Sequence, residues 1–266
     1  MIPVHLTGAL ADMPAIRVAA RDTGAVVIED AAHALGARQG GHPVGSCADS
    51  SDMSVFSFHP VKQITTGEGG AVTANDTELQ RRLRRFRDHG MVREPAEMKH
   101  PSPGPWYYEQ HVLGHNLRMT DIQAALGTSQ LAKLDRFVSR RRALAALYDA
   151  RLSELSAVRP STPPERASES SYHLYCVLID FDVLGIERKE LMQGLRACGI
   201  GTQVHYIPLP MQPYYQDRGW RIEDFPGARR YYERTLSLPL FPGMRDSDVD
   251  RVVESLRQTL RELGGV

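Results

Sequence analysis

Ala25-Val26-Val27-Ile28-Glu29-Asp30 sets four apolar residues directly ahead of two carboxylates, with Gly24 in front of them. A short run that is apolar on both sides of its period reads as a strand covered on both faces. The reading gives a strand over Ala25 to Ile28 that delivers Glu29 and Asp30 at its C-terminal end. Working outward, Ile2 to Leu6 reads as an earlier strand ended by Thr7-Gly8, and Met13 to Thr23 as a crossover helix stopped by Gly24. Downstream, Met53 to Phe58 reads as the next strand, Gly70 to Ala74 as a return strand and Asp76 to Asp88 as a helix. Strands that alternate with helical patterns in this way predict an α/β fold with a largely parallel sheet.

Residues 89 to 117 show no clear period and are rich in Pro, Gly, His and aromatics. They read as an ordered loop, with Trp106, Tyr107 and Tyr108 expected to be covered. Thr120-Asp-Ile-Gln123 is a capping box, and Ile122, Leu126, Leu134 and Val138 suggest a buried stripe on one long helix reaching about Leu155. Beyond the Pro/Ser/Glu-rich stretch 160 to 170, a smaller α/β region is expected. Its strands are Tyr172 to Ile179 and Thr202 to Tyr206, and its helices Glu187 to Cys198 and Asp246 to Leu263. The domain division read from this pattern is 1–118, a connecting helix over 119–157, and 158–266.

Composition narrows the function classes. The 266 residues are 42% apolar, with 32 basic and 32 acidic side chains and no formal net charge. Nucleic-acid binders usually show a strongly basic face. The one basic run, Arg81 to Arg87, alternates with Leu83 and Phe86 and reads as a solvated helix face. Three scattered cysteines, Cys47, Cys176 and Cys198, fit free thiols in a reducing compartment. No apolar stretch has membrane-spanning length and the N-terminus has no basic leader, so a cytoplasmic protein without nucleic-acid or membrane partners is expected.

Two positions invite chemistry. Ligands of open α/β sheets bind beyond the carboxyl ends of strands, where Asp30 falls. It suits either a capping or salt-bridged aspartate, or a partner for a protonated pyridine nitrogen. Lys62 follows the strand end Phe58 by four residues, where a depressed pKa would make it a nucleophilic amine; by composition alone a lysine is more often a surface charge. Ser57 could donate to a phosphate, and Gly67, Gly69 and Gly70 permit tight turns near a ligand. The Gly-Lys-Ser/Thr ending of a Walker loop is missing. His111 and His115 stand four apart, but Gly114 and nearby prolines argue against a shared helix face, so no metal site is expected. Tyr214-Tyr215 and Tyr231-Tyr232 read as packing residues.

Five blocks in order resemble the DegT/StrS family of sugar aminotransferases: Val27-Ile-Glu-Asp-Ala-Ala-His-Ala-Leu-Gly36, Phe56-Ser-Phe-His-Pro-Val-Lys62 with Thr65-Thr-Gly-Glu-Gly-Gly70, Gly114-His-Asn-Leu-Arg-Met-Thr-Asp-Ile-Gln-Ala-Ala-Leu-Gly127, Gln203-Val-His-Tyr-Ile-Pro208, and Leu236-Ser-Leu-Pro-Leu-Phe-Pro242. The resemblance implies a pyridoxal 5'-phosphate (PLP) transferase of fold type I, like aspartate aminotransferase, with a mostly parallel sheet, helices on both faces and a smaller C-terminal α/β domain. It implies Lys62 as the Schiff-base lysine, Asp30 on the pyridinium nitrogen, His33 beside the ring and Ser57 on the phosphate. Asn116 would reach the phosphate of the neighbouring subunit of a homodimer, and His205 and Tyr206 would lie near the sugar nucleotide. The His-Pro-Val-Lys and His-Tyr-Ile-Pro blocks are most like the branch acting in pseudaminic acid biosynthesis. That branch implies a UDP-linked 4-keto-6-deoxy sugar aminated at C4, with glutamate as donor. A dehydrating branch carries histidine at the lysine position, so Lys62 favours transamination.

The resemblance also sets an expectation of truncation. Relatives place a segment of roughly a hundred residues, a small-domain length, before the part matching Ile2 to Leu6. That segment would bring a glycine-rich helix start for the phosphate and an aromatic stacked on the ring. The alternative to an active enzyme is therefore a catalytically silent remnant or binding protein of the same fold. Arg229 and Gln63 depart from the acidic residue and the proline common in relatives, which bears on substrate preference.

Overall fold

Asp12 accepts the amide of Ala15, and Gly24 closes the helix in the left-handed conformation (φ 66°), so α1 spans Met13–Thr23 as its sequence signals dictate. A computed structural model describes residues 1–48 and 50–264; positions 265 and 266 of the expected C-terminal domain lie outside the described residues. The chain divides into two compact units, Met1–His5 with Leu10–Leu134, and Leu6–Ala9 with Asp135–Val266.

The first unit is built on β1 (Ile28–Asp30), β2 (Met53–Ser57) and β3 (Gly70–Thr73), in the order β1-β2-β3. β1 and β2 run parallel with Asp30 opposite Val55, and β2 and β3 antiparallel with Ser57 opposite Gly70. The strand expected over Ala25 to Ile28 instead begins at Ile28. Val27 is fully buried but Val26 is 52% exposed, so only one side of that run is covered. Ile2 to Leu6 forms no continuous strand. It runs beside β1 through a single parallel bridge, Val4 to Asp30, because Pro3 has no amide to donate and Thr7 turns the chain at φ 64° into the short 3-10 turn Leu6–Gly8. Small clusters, one of Leu10, Ala31, Ala34, Ala37 and Phe56, the other of Met13, Ala20 and Val27, form the core of this unit.

α2 (Thr77–Arg87) is capped by Asp76 on the Leu79 amide and buries no side chain. Its arginines face outward as read, Arg81 pairing with Glu78 and Arg85 with Glu97. The following segment is ordered, yet Trp106 is 71% exposed, so the expectation that it is covered fails. One carboxylate organises this segment instead. Buried Glu109 accepts the amides of Lys99 (2.7 Å) and His100 (2.8 Å), the Tyr107 hydroxyl (3.2 Å) and His111 Nε2 (2.6 Å).

Thr120 and Gln123 make both bonds of the capping box that starts α3 (Asp121–Leu131). The long helix does not continue: α3 stops, and α4 runs over Leu134–Leu152. The expected stripe splits with it, Val138 being buried while Ile122 is 84% and Leu126 42% exposed. Apolar residues four apart drift about 40° around a 3.6-residue helix at each step, and Ala132 and Lys133 interrupt the helix before Leu134.

In the second unit an antiparallel sheet of β4 (Val158–Pro160), β5 (Tyr175–Ile179) and β6 (Thr235–Leu238) has β5 at its centre. α4, α5 (Arg188–Ala197) and α7 (Asp246–Glu262) pack with it, α6 (Pro226–Arg234) lying between α5 and α7 in sequence. Thr202 to Tyr206 contributes only a bridge from Gln203 to Ser237. The Gln203 side chain takes the Val204 amide at 2.9 Å, so that amide is lost to any ladder. Leu144, Tyr148, Val177, Leu191, Leu236 and Leu256 belong to one large core, each such side chain stabilising the unit by about 1.5–3 kcal/mol. Within it Arg141 donates to the carbonyls of Tyr172, His173 and Leu240 at 3.0–3.1 Å; burial lowers its pKa to about 10. Tyr215 and Trp220 meet edge to face, and Tyr232 lies under the Arg188 guanidinium.

Candidate active site

Parallel pairing brings the C-terminal ends of β1 and β2 side by side, Asp30 ending one and Ser57 the other. The loop after β2 closes on Phe58: its amide donates to the Gly69 carbonyl at 2.9 Å, and its carbonyl takes the Thr66 amide at 3.0 Å and the Thr65 hydroxyl at 3.1 Å. Gly69, at φ 156°, sits where a Cβ would lie 2.4 Å from Thr66 Oγ1, so this turn requires glycine. The loop presents Lys62 half-buried, its amide bonded to the His59 carbonyl.

Burial pushes the Lys62 pKa down, and the negative charge of Asp30 partly opposes that shift. The coupling places the two side chains in one electrostatic site, and the net direction favours a neutral, nucleophilic amine. Asp30 is half-buried, and its Oδ1 accepts the Ala32 amide at 3.1 Å. Among the described residues no arginine, lysine or histidine forms an ion pair with it. A carboxylate held this way at a strand end retains acceptor capacity for an external N–H. Ser57 Oγ accepts the His59 amide at 3.4 Å, which leaves its hydroxyl proton to donate. These donors and acceptors fit PLP: an amine for its aldehyde, an acid for its ring nitrogen and a hydroxyl for its phosphate.

Sequence reading missed two supports. Gln63 Nε2 donates to the carbonyl of buried His33, tying the turn after β1 to the residue beside Lys62. His5, 1% exposed, takes the Ala11 amide on Nδ1 (3.1 Å), so its Nε2 proton faces Glu29 at 3.0 Å. Burial alone would raise the Glu29 pKa, but hydrogen bonds from His5, Ser51 and Ser50 outweigh it and hold the carboxyl below its usual value. The backbone pairing of Pro3 and His5 with Asp30 brings His5 against Glu29, on the other face of β1 from Asp30.

Asn116, His205 and Tyr206 have neighbours of their own. Asn116 is exposed and bridged to Asp88 at the end of α2, with no bond to Asp30, Ser57 or Lys62. In the second unit His205 Nδ1 lies 2.7 Å from Ser237 Oγ, and Tyr206 is 50% exposed. His111 is engaged by Glu109 and His115 by the edge of Phe86; among the described residues no three His, Cys, Asp or Glu side chains gather as for a metal. Lys62 lines neither of two clefts in the first unit. One of about 340 Å³ lies against α1 and Glu29, whose side chain alternates to the other face from Asp30. Another, of about 550 Å³, is lined by Phe56, Phe58, Ile64 and Leu131.

This α/β frame with its strand-end aspartate and loop lysine is PLP-transferase fold type I. The chain belongs to the DegT/DnrJ/EryC1/StrS aminotransferase family, which matches residues 1–257. It is 39% identical over 264 residues to the spore coat polysaccharide biosynthesis protein SpsC of Bacillus subtilis, covering 98% of this chain and 66% of that one. Among solved structures, Helicobacter pylori PseC, an aminotransferase of pseudaminic acid biosynthesis, superposes with TM-score 0.85 at 30% identity, over 98% of this chain and 66% of that one. The putative sugar aminotransferase Spr1654 of Streptococcus pneumoniae in its PMP form gives TM-score 0.87 at 29% identity, over 98% and 69%. The chain thus spans about two thirds of the length of the curated relatives it matches. Aminotransferases of this family depend on PLP, and Spr1654 is known in PLP and PMP forms.

Proposed function

We propose that this chain carries the catalytic lysine of a sugar-nucleotide aminotransferase that moves an amino group from glutamate to C4 of a UDP-linked 4-keto-6-deoxy sugar. The observation that carries the reading is Lys62, half-buried with a lowered pKa in the field of Asp30. The likeness to PseC supports the choice of sugar, that of the branch that yields UDP-4-amino-4,6-dideoxy-N-acetyl-β-L-altrosamine. Bound PLP would supply an electron-accepting ring. Lys62 Nζ would tether the cofactor at rest, then take a proton from the donor's α-carbon and deliver one to the sugar carbon. Asp30 would hold a proton on the ring nitrogen, His33 would lie beside the ring, and Ser57 would donate to the phosphate. His205 and Tyr206 would contact the sugar nucleotide. The working form would be a cytoplasmic homodimer, with Asn116 donating to the phosphate bound by the partner. Exposure of Asn116 and the free state of all three cysteines support this; among the described residues no helix is long and apolar enough to cross a membrane.

The test is the visible absorption of the purified 266-residue chain with added PLP, then glutamate, beside Lys62→Ala. A band that requires Lys62 and bleaches with glutamate is the expected result. A folded chain with no Lys62-dependent band would leave it a silent member of the fold.

A further inference from the structure

The capping box that starts α3 does more than close a helix end. Thr120 gives both its amide and its hydroxyl to Gln123 Oε1, each at 3.0 Å, and takes the Gln123 amide on Oγ1 at 3.3 Å. The other atom of the same side-chain amide reaches the loop that carries Lys62: Gln123 Nε2 donates to the Glu68 carbonyl at 2.9 Å. Both neighbours fix which way this amide points. A backbone N–H can only donate and a carbonyl can only accept, so the oxygen faces Thr120 and the nitrogen faces Glu68.

At the base of the lysine loop Phe58 pairs with Gly69 and Thr66 through the backbone, and Thr66 Oγ1 gives the Glu68 carbonyl a second bond at 2.7 Å. Lys62 falls midway between Phe58 and Thr66. β2 anchors the incoming limb of the loop, and the Glu68 carbonyl is where α3 holds the outgoing one. Contacts at four-residue steps on either side of Gln123 continue this seam. A Cβ on Gly127 would come within 2.8 Å of Thr66 Cγ2, and one on Gly69 within 2.8 Å of Met119 Cε. Residues three or four apart share a helix face, and Thr66, on which the seam closes, is 3% exposed.

We propose that Gln123 is a positioning residue for Lys62: its amide couples the start of α3 to the outgoing limb of the lysine loop and keeps that loop closed, with Lys62 half-buried. Glutamate satisfies a capping box as well as glutamine does, so the cap does not require the nitrogen; the loop does. The tie stands on the geometry of the first unit, and its bearing on catalysis rests on the reading of Lys62 given above.

Gln123→Glu separates the two roles, because it keeps the acceptor for Thr120 and removes the donor to Glu68. Gln123→Met removes the donor without adding charge. In the 266-residue chain, hydrogen exchange at the Phe58 and Thr66 amides should quicken about fivefold in Gln123→Glu, the effect of one ordinary hydrogen bond, while the amides of α3 keep their wild-type rates. Trace acetylation across the alkaline range, resolved by peptide mass spectrometry against exposed Lys189, reports where Lys62 loses its proton. Opening the loop rehydrates the amine, so its midpoint should rise toward that of Lys189 by about half a pH unit in both variants. Unchanged exchange at Phe58 and Thr66, an unmoved Lys62 midpoint, or a rise in Gln123→Glu alone, which would be the work of the added charge, overturns the proposal. Should Gln123→Met not fold, Gly127→Ala, neutral and on the same seam, replaces it. With PLP added, Gln123→Glu should need about fivefold more cofactor to reach half of the Lys62-dependent absorption; an unchanged requirement overturns the positioning role. A wild type with no such absorption defeats the functional reading instead, and exchange and labelling still decide the tie.

Discussion

Glu109 holds its carboxyl at about pH 2, first through His111 and then through the amides of Lys99 and His100. A free glutamate titrates near 4.3, so the folded pKa is depressed. Its contribution is therefore complete above the unfolded value and fades as pH falls from roughly 4.3 toward 2. Glu109→Gln should raise the exchange rates of the Lys99 and His100 amides severalfold at neutral pH, as seen by hydrogen exchange. In the wild type the same loosening should set in only below about pH 4. Equal protection in the two proteins at pH 7 would show that the loop is held by something else. The same scale shows what a sequence hides. Asp30, Lys62 and Ser57 fall at or just after a strand end, but it was the resemblance of the blocks around them that singled them out. The bonds of Gln63 and Ser237 were not legible, since they reach 30 and 32 residues away, to His33 and His205.

Helices α5 and α7 meet where Gly194 faces Thr259. A Cβ on Gly194 would come within 2.3 Å of Thr259 Cγ2, and Thr259 is 3% exposed and bonded to the Ser255 carbonyl, so it has little freedom to yield. Alanine favours a helix over glycine by about 1 kcal/mol, yet overpacking costs typically about 1–3 kcal/mol. Gly194→Ala should therefore be destabilising in urea titrations, and Thr259→Ser, which removes the opposing methyl, should restore much of the loss. A stabilised Gly194→Ala would mean the helices can separate there. Elements were readable from sequence where local chemistry marks their ends, as Asp12 and Gly24 do for α1 and Thr120 with Gln123 for α3. They were misread where pairing decides. Ile2 to Leu6 and Thr202 to Tyr206 have strand-like composition, but Pro3 interrupts the first and the second keeps a single bridge, Gln203 to Ser237.

Across the whole molecule, apolar burial is uneven. The second unit has one continuous core spanning α4, β5, β6, α5 and α7, whereas the buried clusters of the first are small and rich in alanine. Regions with few buried apolar contacts open at lower free energy. The slowest-exchanging amides should lie in β5, β6 and α7, with β1 and β2 exchanging through cheaper openings; the reverse order in native-state hydrogen exchange would refute this. The family was readable at this scale because its blocks run the length of the chain, while the break between α3 and α4 was not, since no proline or glycine marks it. The sequence holds two tryptophans. Trp106 is 71% and Trp220 48% exposed, one in each unit. Neither indole is shielded from water, so the protein carries its own pair of fluorophores: a quencher reaches both, and a blue shift of emission would register, without any attached dye, whatever comes to lie over the loop that Glu109 ties down.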